Sequence, residues 1–79
     1  MSNWLKQDNR LTKEFSFKNF KEAIGFVNQV AELAEEMNHH PDIFIHDYKN
    51  VRLTLTTHNE GKVTDKDYQL AEKIDETNV

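Results

Sequence analysis

The stretch from Asn19 to Pro41 constrains this chain more than any other. At about 100° per residue, one half of the helical wheel holds Phe20, Ala23, Ile24, Phe26, Val27, Val30, Ala31, Leu33, Ala34 and Met37. The other half holds Lys21, Glu22, Gly25, Asn28, Gln29, Glu32, Glu35 and Glu36. So complete a split predicts a helix over 20–37 that lies flat on a sheet with its back in water. Asn19 is a good N-cap, and Glu22 can complete a capping box. At the far end Pro41 lacks an amide hydrogen and pushes His40 out of the helical region. Two adjacent histidines, His39 and His40, therefore stand where the helix must stop. Glu35 falls at the edge of the apolar half, beside Ala31, where it can face a site at the helix margin.

The flanking segments read as strands. Trp4 to Gln7 is a short strand, Asp8-Asn9 a turn signal, and Leu11 to Phe17 a second strand, which makes a hairpin. Leu11, Phe15 and Phe17 share one parity, with Thr12, Glu14 and Ser16 on the other. Ile43 to His46 is short and strand-like, followed by a turn at Asp47-Tyr48-Lys49-Asn50. Val51 to Thr57 alternates best: Val51, Leu53 and Leu55 face one way, and Arg52, Thr54 and Thr56 the other. Strict alternation puts His58 with the threonines, away from the core face. Asn59-Glu60-Gly61 is a loop. Thr64-Asp65-Lys66-Asp67 matches a capping box, with Val63 and Tyr68 as its hydrophobic staple. Leu70, Ala71 and Ile74 give the last helix a short apolar stripe, and the tail Glu76-Thr77-Asn78-Val79 reads as frayed. The order is β-β-α-β-β-α. It predicts a single α+β domain over 1–79, in two layers, with a four-stranded antiparallel sheet carrying both helices on one face.

Composition narrows the function. The chain has 79 residues and no cysteine, so disulfides and thiolate chemistry are excluded. A chain this short is marginal alone, and oligomerisation is an expected source of stability. The net charge of −4, with the basic residues scattered, argues against a nucleic-acid or anionic-membrane surface. No stretch approaches a transmembrane length and the N-terminus has no apolar signal region, so a soluble cytoplasmic protein is expected.

Four histidines in so short a chain ask for a chemical explanation. Metal binding is disfavoured, because His39 and His40 point apart in most backbones and no i,i+4 histidine pair exists. Only Gly25 and Gly61 are glycines, which leaves no nucleophile elbow and no phosphate loop. Acid–base chemistry remains. His39, His40 and His58, with Glu35 and Asp67 as orienting carboxylates, suit a dehydration in which one group protonates a leaving hydroxyl and another removes a proton. Each residue also has a plain structural explanation. His39 can end a helix, Asp67 is accounted for by its capping box, and Glu35 is one more acid on a polar face. His46 has no partner in the pattern and reads as a surface or strand residue.

The run Glu35-xxx-His39-His40-Pro41, then Tyr48-xx-Val51-x-Leu53-x-Leu55-x-Thr57-His58, then Gly61-x-Val63-Thr64-xx-Asp67, resembles the pterin-4a-carbinolamine dehydratases. Upstream, Phe15-x-Phe17-Lys18-Asn19-Phe20-xx-Ala23-xx-Phe26 is similar to that family's entry into its long helix. The likeness runs from about Trp4 to Ile74. It implies dehydration of a 4a-hydroxytetrahydropterin to the quinonoid dihydropterin, in tetrahydropterin recycling. By position it implies that His39, His40 and His58 are catalytic and that Glu35 and Asp67 are acidic groups lining the site. Asn38, Pro41, Thr56, Thr57 and Asn59 are implied as substrate-binding. The resemblance implies no metal, no separate cofactor, and a homodimer or homotetramer built by pairing sheet edges and packing helices. Two features depart from the family: a helix expected before Trp4 is missing or cut to a stub, and the segment from Pro41 to Val51 is one residue longer than in the animal enzymes. The competing readings are a non-catalytic pterin-binding protein, a dimerisation or coactivator module like that of animal relatives, and a histidine metalloprotein.

Overall fold

The computed structural model describes residues 3–77. The observed order is β1 (Leu5–Gln7), β2 (Arg10–Ser16), α1 (Phe20–Met37), β3 (Asp42–His46), β4 (Asn50–Leu55) and α2 (Asp65–Thr77). The four strands form one antiparallel sheet in the order β1-β2-β4-β3. This is the expected α+β architecture. Asp8 and Asn9 both take positive φ, 54° and 61°, as a two-residue hairpin turn requires. Glu76 and Thr77, expected to fray, belong to α2, while Asn78 and Val79 lie outside the described residues.

The core is built by the expected faces. Leu11 and Phe15 of β2 and Val51, Leu53 and Leu55 of β4 meet Ala23, Phe26 and Val30 of α1 and Leu70, Ala71 and Ile74 of α2. Phe26 lies against both Phe15 and Phe17, with ring centroids 4.7 and 4.9 Å apart. The buried stripe of α1 is narrower than its apolar half. Ala23, Phe26, Val30 and Ala34 are buried, whereas Phe20 and Ala31 are exposed. Each fully buried Leu or Val contributes about 1.5–3 kcal/mol relative to an exposed one, so β4, buried at every second residue, anchors the sheet.

One residue breaks the alternation of β2. Lys13 shares the parity of Leu11 and Phe15 and pairs with Leu53 across the sheet. Its stem runs along the core margin, with Nζ 4.9 Å from the Phe15 ring centroid. The Nζ ends 2.7 Å from Oδ1 of Asp75 on α2, and Trp4 Nε1 donates to the other oxygen of Asp75 at 3.0 Å. This cluster ties the first hairpin to the last helix.

The ends of α1 set up the site. Asn19 caps the N-terminus by accepting from the Glu22 amide at 2.9 Å. The returning bond from Glu22 reaches the amide of Lys18, one residue earlier than a capping box places it. At the C-terminus Asn38 turns left-handed, with φ 50° and ψ 43°. Its amide donates to Glu35 and the His39 amide donates to Ala34 at 3.0 Å. This Schellman pattern satisfies the last carbonyls and reverses the chain. Asn serves because its short polar side chain tolerates that conformation.

Candidate functional site

The reversal at Asn38 sends the two adjacent histidines in opposite directions. His39 turns inward, where its Nε2 lies 2.6 Å from Oδ1 of Asp67 on α2. His40 turns outward, where its Nε2 lies 2.6 Å from Oε2 of Glu35, one turn back on α1. The side chains of His39 and Asp67 are 12% and 0% exposed; those of His40 and Glu35 are 54% and 77% exposed. Each carboxylate accepts the Nε2 hydrogen, so the free nitrogen of each neutral ring is Nδ1.

Asp67 does two things at once. Its Oδ2 accepts from the Thr64 amide at 2.9 Å, which is the capping-box bond expected from the sequence. The same oxygen accepts from the Thr57 hydroxyl at 2.8 Å, and Oδ1 is left for His39. The side chain of Thr64 does not cap the helix; its hydroxyl lies 2.6 Å from that of Thr57.

The expected strand through Thr57 ends earlier, at Leu55. Thr56 and Thr57 are both buried, so the strict alternation carried to His58 stops there. Thr56 donates to the backbone carbonyl of Asn9 at 2.9 Å, and Thr57 closes a turn with Lys62, its amide donating at 3.1 Å. Gly61 supports that turn at φ 67°, a conformation strained for residues with a Cβ. His58 sits in the turn, exposed, and its ring has no hydrogen-bond partner among the described residues.

His39, His40 and His58 line one cavity of about 310 Å³, together with Asn38, Thr57, Asn59 and Lys66. The structure therefore brings together three elements: the end of α1, the turn after β4 and the start of α2. Glu35 and Asp67 stand behind two of the histidines rather than on the cavity wall. Thr56 faces a neighbouring depression shared with Asn9, Arg10 and His58, and half-buried Pro41 is not on the wall either. Lys66 was not singled out from the sequence. Its only signal is its place inside the Thr64–Asp67 box, on the exposed side of the first turn of α2. A larger open depression of about 430 Å³ lies on the other face of the sheet, lined by Arg10, Asp42 and Arg52 among others, and has no histidine. Among the described residues, no three His, Asp or Glu side chains converge as a metal-ligand set, and no helix is long and apolar enough to cross a membrane.

Comparison with known proteins adds an independent line. The family model described as Pterin 4 alpha carbinolamine dehydratase matches residues 1–77. A protein of Thermomicrobium roseum, provisionally named pterin-4-alpha-carbinolamine dehydratase, is 53% identical over 73 residues, covering 92% of this chain and 77% of the relative. One of Sulfolobus acidocaldarius with the same provisional name is 49% identical over 71 residues, covering 90% and 77%. The crystal structure of a transcriptional coactivator/pterin dehydratase from Brucella melitensis superposes with a TM-score of 0.88 at 40% identity, covering 95% of this chain and 81% of that one. A pterin dehydratase-like protein identified as a RuBisCO assembly factor in the alpha-carboxysome superposes with a TM-score of 0.77 at 25% identity, covering 92% and 86%. On the family match and on relatives about half identical over nine-tenths of its length, the chain belongs to the pterin-4a-carbinolamine dehydratase family.

Proposed function

We propose that the protein dehydrates a 4a-hydroxytetrahydropterin to the quinonoid dihydropterin by histidine acid–base catalysis, in tetrahydropterin recycling. The observation that carries this reading is the gathering of His39, His40 and His58 on one cavity, two of them held through Nε2 by carboxylates. In the step, one histidine takes the proton from pterin N5. The N5 electron pair forms the N5–C4a double bond, and the C4a–O bond breaks toward oxygen. A second histidine protonates the departing hydroxyl, so water leaves and nothing is oxidised or reduced. Asn38 and Asn59 supply polar groups around the cavity for the pterin edge, Thr57 forms part of its wall with the hydroxyl turned to Asp67, and Pro41 and Thr56 fix the backbone on either side. The pterin is the substrate, and the reading needs no metal or further cofactor. A cytoplasmic homodimer or homotetramer is part of the same proposal; β3 supports it as an edge strand with Ile43 and Phe44 exposed.

The direct test is dehydration of freshly generated 4a-hydroxytetrahydropterin, followed by ultraviolet absorbance, for wild type beside His40→Ala. Wild-type acceleration that drops about 10²–10⁴-fold in the variant is the expected result. No acceleration over the spontaneous reaction by folded wild type would sink the proposal. A second reading, a protein-binding module, draws on the coactivator and assembly-factor names of the two structural neighbours and on the exposed Phe20, Phe44 and Tyr48. One stable protein partner without pterin binding would favour it.

A further inference from the structure

We propose that the hydroxyls of Thr57 and Thr64 are positioning groups that act on His39 through Asp67 and commit its Nδ1 to the cavity. This inference rests on reading the cavity as the dehydration site. The Asp67 carboxylate is an acceptor in every contact it makes: from the Thr57 hydroxyl, the Thr64 amide and the His39 ring. A hydroxyl carries one hydrogen, and that of Thr57 is directed at Asp67. The short contact between the two hydroxyls is therefore made by the hydrogen of Thr64. The result is a directed chain, Thr64 to Thr57 to Asp67, that meets His39 from the other side.

The chain fixes geometry as well as polarity. With Oδ2 engaged by two donors, the carboxylate plane is set and Oδ1 is aimed at Nε2 of His39. A histidine that donates from Nε2 to a carboxylate is held in one tautomer and one ring orientation. Its Nδ1 has no partner among the described residues, where no buried side-chain nitrogen or oxygen lacks one. Nδ1 is thus the accessible ring nitrogen of a side chain that lines the cavity. Neither threonine hydroxyl reaches the cavity as a free group, so both act through another residue.

The test uses the full chain, with the His39 ring observed by long-range nitrogen–proton NMR correlations on its neutral form. Wild type shows the hydrogen on Nε2. In Thr57→Val the Nε2–H form loses its dominance, while kcat falls about tenfold and KM stays within about twofold. Thr57→Ser restores the ring signature and most of kcat, because it returns the hydroxyl. A His39 that keeps the Nε2–H form in Thr57→Val overturns the proposal, and so does a Thr57→Ser protein no better than Thr57→Val. Should Thr57→Val not fold, Thr64→Val removes the hydrogen at the head of the chain and is judged by the same ring signature. If wild type turns over no pterin, the dehydration reading fails while the ring measurement still decides the positioning role.

Discussion

Two histidine–carboxylate pairs of equal length, 2.6 Å each, sit one residue apart in the chain and live in opposite surroundings. His39–Asp67 joins α1 to α2 beneath the surface, and its carboxylate is closed off by two further donors. His40–Glu35 is made within one end of α1 and stands in water. The inner pair is structure and chemistry together, since each of its groups is also part of the packing. The outer pair is separable: water can replace either partner, and salt screens it. A histidine that is free to reorient suits proton exchange with solvent, whereas one that is fixed suits a defined reacting atom. Equal distances thus conceal unequal roles, and burial distinguishes them.

Removing carboxylates one at a time breaks the comparison most sharply. Asp67→Ala removes the acceptor of the Thr57 hydroxyl, the Thr64 amide and His39 Nε2 in a largely buried site. The expected loss is about 3–5 kcal/mol, on the basis of about 1–3 kcal/mol for each buried group left unsatisfied and incomplete additivity. That approaches the whole stability of a domain this size, so urea unfolding should show a protein at the edge of folding. A midpoint within experimental error of wild type would mean that the inner pair is no more structural than the outer one. His40→Ala, by contrast, should leave the urea midpoint unchanged while turnover falls about 10²–10⁴-fold. Glu35→Gln is milder: turnover should drop less than about fivefold, and the difference from wild type should shrink as salt is raised. A salt-independent loss as deep as that of His40→Ala would show that Glu35 itself works on the substrate.

Much of this was legible from the chain alone, and the parts that were not share a cause. The bounds of α1 read correctly because a complete apolar split, an N-cap asparagine and a proline stop all agree. Apart from Lys66, the residues lining the candidate site could be named, but not the link between His39 and Asp67. They are 28 positions apart, and periodicity carries no information on contacts between elements. Asp67 also had a sufficient local explanation in its capping box, which the structure shows to engage only Oδ2. Thr57 was named as a substrate-binding residue, but its bond to Asp67 escaped because alternation was carried past the point where backbone bonds to Lys62 replace the strand ladder. Lys13 shows the same limit in the core: a charge at an inward register is tolerated because Asp75, far along the chain, receives it.

A third histidine–carboxylate pair sharpens the comparison at its weakest end. On the outer face of the sheet, His46 of β3 donates from Nε2 to Glu14 of β2 at 2.9 Å, across the intervening β4. The ring stacks on Phe44 at 5.3 Å, Arg52 also contacts Glu14, and Asp47 Oδ2 lies 3.4 Å from Nδ1 of His46. The bond to Glu14 raises the histidine above its ordinary value of 6.5, with partial burial opposing and Asp47 assisting. The same bond holds Glu14 below its ordinary 4.5, with burial opposing and Arg52 assisting. Folding thus favours the charged form of both. The histidine contribution is complete below pH 6.5 and is lost as pH rises through the raised folded value. The glutamate contribution is complete above pH 4.5 and is lost as pH falls through the lowered one. Urea midpoints should therefore decline slightly from mildly acidic to mildly alkaline pH, and His46→Gln should flatten that decline while leaving dehydration unaffected. The effect should be the smallest of the set, because the pair is solvent-screened and serves no cavity. An unaltered slope in His46→Gln would show that this pair does not set the decline.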